Sequence, residues 1–244
     1  MSALASAVIA TSLLFSQGAG ACPIMKSALR PIATKSVTML PDGGVLLSMS
    51  RSYGNRGNGT YTLVDETGAT VEATQEQIAP GLFRLTPKQH ADRELTLSED
   101  GKPLFVVEDA AAAPALAIVP KLAKVTSTRA RTTKPRPRYL APEATTITLA
   151  SPPPADVAGI VLYGADHAAR AWLPANKGRT YQLSFGGKRC GGVGMIGAVI
   201  GEEVTIAFVD SSGRVSPRTK PVRVRRTPPP PPPKPATPAP MSRR

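Results

Sequence analysis

The chain has 244 residues, with 30 Lys and Arg against 17 Asp and Glu, a formal charge of +13, and only two Cys and two His. Two scattered cysteines and two scattered histidines argue against a zinc centre, which takes three or four protein ligands. The 26 Pro and 21 Gly, with few long helical patterns, argue against a mainly helical chain and suit many short strands joined by turns.

The chain opens with an apolar run from Ala3 to Phe15, broken only by Ser and Thr, and then reaches Ala19-Gly20-Ala21. A short apolar segment followed by a small-x-small run is the pattern of a cleavable signal peptide. The run is shorter than the roughly 20 apolar residues that span a bilayer. Met1–Ala21 is therefore expected to be removed, giving an exported protein: periplasmic, cell-surface or secreted. No Lys or Arg precedes Lys26, so the positive charge before the apolar run is only the terminal amine. Cys22–Thr34 is left as an N-terminal segment.

From Lys35 to Asp109 short strands alternate with turn signals. Ser36–Leu40 runs into Pro41-Asp42-Gly43-Gly44 and then Val45–Ser50. Thr60–Asp65 turns through Glu66-Thr67-Gly68 into Ala69–Thr74, and Pro80-Gly81 precedes Leu82–Thr86. Arg93–Ser98 turns through Glu99-Asp100-Gly101 into Leu104–Val107. Strands at about 8–12-residue spacing predict an antiparallel sandwich or barrel. Residues 110–119, rich in Ala and interrupted by Pro114, read as a linker.

A second unit is expected over residues 120–226, with strands at Lys124–Arg131, Thr145–Ala150, Val157–Tyr163, Thr180–Phe185, Glu203–Val209 and Val222–Arg225. Trp172 is read as a core anchor, since few other aromatics are available to fill this unit. From Thr227 onward, six consecutive prolines and a basic end predict a disordered, polyproline-like tail over 227–244. Within this second half, Val204-Thr-Ile-Ala-Phe-Val-Asp210-Ser-Ser-Gly213-Arg-Val-Ser216-Pro217 resembles the final hairpin of fibronectin-type-III or immunoglobulin-like modules in bacterial secreted proteins. The resemblance covers about 15 residues. It implies an Ig-like sandwich, and such modules serve as binding surfaces or spacers. With the strand pattern of both halves, the expected fold is all-β, two small antiparallel Ig-like or FnIII-like sandwiches.

Charge divides the chain unevenly. Up to Ala110 there are 9 Lys and Arg against 11 Asp and Glu, a balance of −2; beyond it, 21 against 6, a balance of +15. Such a half attracts polyanions. Lys121, Lys124, Arg129 and Arg131, together with Arg218, Lys220, Arg223, Arg225 and Arg226, form the candidate patch for an anionic partner. A solvated basic margin that discourages edge-to-edge aggregation is the competing reading. Few aromatics interleave these clusters, which disfavours specific nucleic-acid binding.

Cys22 and Cys190 allow two outcomes in an oxidising compartment. They pair as one disulfide, or Cys22, directly after the cut, carries a lipid and brings the protein to a membrane. Gly192-Val-Gly-Met-Ile-Gly197 matches G-x-G-x-x-G, but no helix follows it, so no dinucleotide site is expected. His90 and His167 lie in polar, loop-like sequence and are assigned no role. The acidic pair Glu202-Glu203 is read as a solvated turn flank. No catalytic residue, cofactor or metal is expected, and the function is read as a non-catalytic exported binding or spacer protein. The alternative is a secreted hydrolase or an enzyme-accessory domain, which a pocket with His90 or His167 beside carboxylates would favour.

Overall fold

The computed structural model describes residues 26–33, 35–52, 60–90, 92–110, 116–129, 143–185 and 196–228. Among them the regular structure is all strand. Residues 1–21, expected to be a signal peptide, lie outside the described residues, as do Cys22, Arg131, Cys190, the glycine run before Ile196 and the residues beyond Pro228.

The first sandwich is built from β1 (Lys26–Pro31), β2 (Val37–Met39), β3 (Val45–Ser52), β4 (Tyr61–Asp65), β5 (Thr70–Val71), β6 (Ala73–Ala79), β7 (Leu82–Pro87), β8 (Arg93–Glu99) and β9 (Lys102–Asp109). Its two sheets run β1-β3-β7-β6 and β2-β9-β8-β4-β5. In immunoglobulin lettering these are A-B-E-D and A′-G-F-C-C′. All pairings are antiparallel except β2 with β9. Alternate residues (Val45, Leu47, Leu63, Leu85, Leu95, Leu97, Val107) point into the shared core. Lys26–Pro31 lies before the start expected at Lys35, and pairs with β3 along its whole length.

The second sandwich contains β10 (Leu122–Ser127), β11 (Glu143–Leu149), β12 (Val157–Tyr163), β13 (Ala169–Pro174), β14 (Thr180–Phe185), β15 (Glu203–Asp210), β16 (Val222–Arg223) and β17 (Arg225–Arg226). Its sheets run β14-β11-β10-β17 and β13-β12-β15-β16, or E-B-A with the end of G, and C′-C-F with the start of G. That is the fibronectin-type-III arrangement. The last strand changes sheets at Val224, which is buried and bonds Glu202 O through its N–H at 2.8 Å. β10 ends at Ser127 rather than continuing to Arg131, because Ser127 Oγ accepts the Arg129 N–H at 3.0 Å and donates to Ala198 O at 2.6 Å.

Two hairpins share one turn chemistry. In Asp65-Glu-Thr-Gly-Ala69, Asp65 Oδ1 accepts the N–H groups of Thr67 and Ala69, both at 3.0 Å, while Gly68 takes φ +84°. In Asp210-Ser-Ser-Gly-Arg214, Asp210 Oδ1 accepts the N–H groups of Ser212 (3.0 Å) and Arg214 (2.9 Å), with Gly213 also at φ +84°. A short acceptor at the first position and a residue free to enter the left-handed region at the fourth are what such turns require. Beyond the second hairpin, Pro217 and Pro221 remove backbone donors. Ser216 and Thr219 each make both bonds to β15: their N–H groups donate to Phe208 O and Ile206 O at 2.9 Å, and their hydroxyl oxygens accept the N–H groups of Phe208 and Ile206 at 2.9 and 3.1 Å.

The two sandwiches pack face to face. The outer face of the β1-β3-β7-β6 sheet (Leu46, Ala79, Leu82) meets that of β13-β12-β15 (Val161, Tyr163, Trp172, Ala207, Val209) in a third apolar cluster. β12 and β15 are consequently buried on both sides, and Trp172 is a core residue of this seam rather than of one sandwich. Polar contacts close one end of it. Gly44 N–H bonds Ser212 O, and Arg84 Nη1 donates to Asp42 O (2.8 Å) and Gly213 O (3.2 Å). A Cβ on Gly213 would sit 2.9 Å from Gly44 O. The seam thus brings together the two glycine turns, Pro41–Gly44 and Asp210–Gly213.

Candidate functional site

The final strand sets out the cations. Pairing Glu203 with Arg223 on one side, and Thr126 with Arg225 and Ser127 with Arg226 on the other, stretches residues 222–226 along the margin between both sheets. Val224 turns into the core, so its neighbours Arg223 and Arg225 turn out. Lys220, Arg223, Arg225, Arg226 and Lys124 of the adjoining β10 are all exposed. The ion pairs among the described residues use Arg84, Lys88, Arg93, Arg129, Arg170 and Arg214, and none holds these five. Glu203, across from Arg223, is the acid that shares this margin. Like charges concentrated beside few acids sum to a field that reaches beyond contact distance.

The remaining candidates separate from this group. Lys121 is exposed just ahead of β10, with its carbonyl accepting the Ala150 N–H at 2.8 Å. Arg129 is half-buried, pairs with Glu143 at 3.5 Å and donates to Gly197 O at 3.3 Å. Arg218 lies over the Tyr163 ring, 3.8 Å from its centroid, and donates to His167 O at 3.3 Å. Burial raises the Tyr163 hydroxyl pKa, and the nearby guanidinium partly offsets this. Arg131 lies outside the described residues, as do Cys22 and Cys190.

Two features were read differently from the sequence. Glu202 is not a solvated flank: its carboxylate lies 2.8 Å from Arg170 Nη2 and accepts N–H bonds from Val199 (3.0 Å) and Ala165 (3.3 Å). That buried pair ties the 164–168 turn to the 196–202 loop. His90 is not a solvated loop residue either. Its Nδ1 is 2.7 Å from Oδ1 of the fully buried Asp109, and Arg93 Nε is 3.9 Å from the other oxygen. The sequence hid this contact because Asp109 is the last residue of β9, where the alternation of Val107 and Asp109 aims a carboxylate inward. A cavity of about 460 Å³ lies beside it, lined by Ser36, Thr38, Asp92, Arg93, Glu108 and Asp109 among others, with His90 outside the lining. His167 sits in an exposed turn at φ +62°.

No family model matches the chain, and no curated protein matches it. Among solved structures it is similar to the chicken CNTN1 FN1-FN3 domains at 10% identity, covering 83% of this chain and 68% of that one, with a TM-score of 0.29. It is similar to a structure on Dscam isoform specificity at 12% identity (83% and 52% covered, TM-score 0.25). A third likeness is to the Yersinia pseudotuberculosis adhesin InvE at 14% identity (82% and 58% covered, TM-score 0.17). TM-scores of this size carry no argument about arrangement or function. The Ig-like and FnIII-like assignment rests on strand order.

Proposed function

We propose that the protein is an exported, non-catalytic binding module whose basic C-terminal half holds an anionic cell-envelope polymer or protein. The observation that carries this reading is the margin of the second sandwich, where Lys124, Lys220, Arg223, Arg225 and Arg226 stand exposed and without ion pairs among the described residues. A purely protective edge needs only a charge or two. Five cations on one margin supply long-range attraction to a polyanion. Retention of the full chain on an anionic resin and on envelope material, measured across a salt series, tests it. Binding should weaken steeply with salt, and replacing Arg223, Arg225 and Arg226 by Gln should flatten that dependence. Salt-insensitive retention, or none at low salt, refutes the reading.

A hydrolase reading is favoured by one observation, the His90–Asp109 contact beside a polar cavity. A carboxylate on Nδ1 is the arrangement that orients a histidine base. Turnover of ester, peptide or glycoside probes that disappears in His90→Gln would establish it in place of the binding reading.

A further inference from the structure

Strand register carries the cations onto a broader surface. Val125, Ile147 and Tyr181 point into the core, so the residues beside them on β10, β11 and β14 point out. Cross-strand pairing then orders the outer face of this sheet in rows. Arg225, Thr126, Thr146 and Gln182 form one row; Lys124, Thr148 and Thr180 form the next. Lys124, Thr180, Gln182 and Arg225 are exposed, Thr146 and Thr148 are partly so, and Thr126 is recessed between them. Every one of these side chains is a hydrogen-bond donor, and none is acidic. The sheet facing the first sandwich is the other one, so this face is not used by the seam.

We infer that this face is the site of the proposed binding, and that its ligand is an extended anionic polysaccharide. The inference rests on the binding reading above and names its partner class. Lys124 and Arg225, at one side, meet the acidic groups of such a chain. The hydroxyls of Thr146, Thr148 and Thr180 and the amide of Gln182 continue across the next two strands, β11 and β14, at a neighbour spacing of about 4.8 Å. Together they offer sugar hydroxyls both donors and acceptors. A single-stranded nucleic acid would use the same cations and add stacking on aromatic platforms, and no row position named here is aromatic.

The test uses the full chain with three immobilised probes: dextran sulfate, neutral dextran and single-stranded DNA. Wild type should hold dextran sulfate more tightly than the DNA and should not be retained by neutral dextran. Thr146→Val with Thr148→Val keeps shape and charge and should weaken dextran sulfate binding about five-fold with its salt dependence unchanged. Lys124→Gln with Arg225→Gln should lower the log–log salt slope by about two. Unchanged dextran sulfate binding by the valine pair, or an unchanged slope for the glutamine pair, overturns this face while a salt-sensitive wild type keeps the binding reading. Tighter binding of DNA overturns the polysaccharide. If wild type binds neither polyanion, the binding reading itself falls.

Discussion

Asp65 and Asp210 perform the same local task in different surroundings. Each collects the backbone donors and one hydroxyl of a tight turn (Thr67 at 2.7 Å, Ser212 at 2.8 Å), but Asp65 is solvent-facing whereas Asp210 is buried and also receives Arg214 Nε at 2.8 Å. Hydrogen bonds from the Thr67 hydroxyl and the local backbone hold the Asp65 carboxyl below the usual carboxylate range. Asp210→Ala leaves several buried donors unmet and should cost about 3 kcal/mol in urea unfolding. Asp65→Ala, where water replaces the lost acceptor, should cost clearly less. Tyr61 supplies a pH test. Burial, with its hydrogen bond to Glu99 at 2.8 Å, pushes its hydroxyl up to about 12 from 10.0. Because folding raises this pKa, the associated stability is complete below pH 10 and is lost as pH rises through about 12. Absorbance titration of the folded protein should show this tyrosine ionising late, and unfolding should become easier over the same window.

At the scale of elements, alternation made most strands legible. Tyr61–Asp65 and Thr180–Phe185 stand where the pattern put them, and Asp-x-Ser/Thr-Gly marked two hairpins. Three elements were missed for physical reasons. β1 and β13 carry basic residues and prolines that read as loop, yet a strand on a sheet margin tolerates both. Most of β6 was lost because Glu and Gln dominate its exposed face. The face-to-face seam was written in the near-continuous apolar runs Ala158–Tyr163 and Val204–Val209, whose lack of alternation signals burial on both faces. Of the candidate patch, the margin strand was readable from its Arg spacing. The separation of Arg129 and Arg218 was not, because their partners (Glu143 and Gly197, Tyr163 and His167) are distant in sequence. The glycine turns give this scale its own test. Gly213→Ala combines a strained φ of +84° with a Cβ 2.9 Å from Gly44 O, and should cost about 2 kcal/mol and loosen the seam. Protection of the Gly44 amide against hydrogen exchange should fall with it.

For the whole molecule, the seam makes two sandwiches one body. The chain has a single tryptophan, Trp172, which is 4% exposed at that seam and packed against Gly159. Leu46→Asp places a charge against this cluster without touching either sandwich core. Trp172 emission should shift to the red and the particle should expand in small-angle scattering, while the β-sheet circular dichroism stays. An unshifted emission would mean that the seam does not depend on apolar contact. The closing strand has a further consequence. β16 and β17 pair over only two residues each, one to either sheet, and Thr227 N–H adds a last bond to Ser127 O at 3.0 Å. Because β17 runs parallel to β10, a pull beyond Thr227 that is resisted through β10 loads these few bonds together, in shear. With so few bonds to share the load, this margin should yield before the seam or either core, and single-molecule pulling should show a low first rupture. The same short strand that displays the cations should thus be the mechanical fuse of the fold.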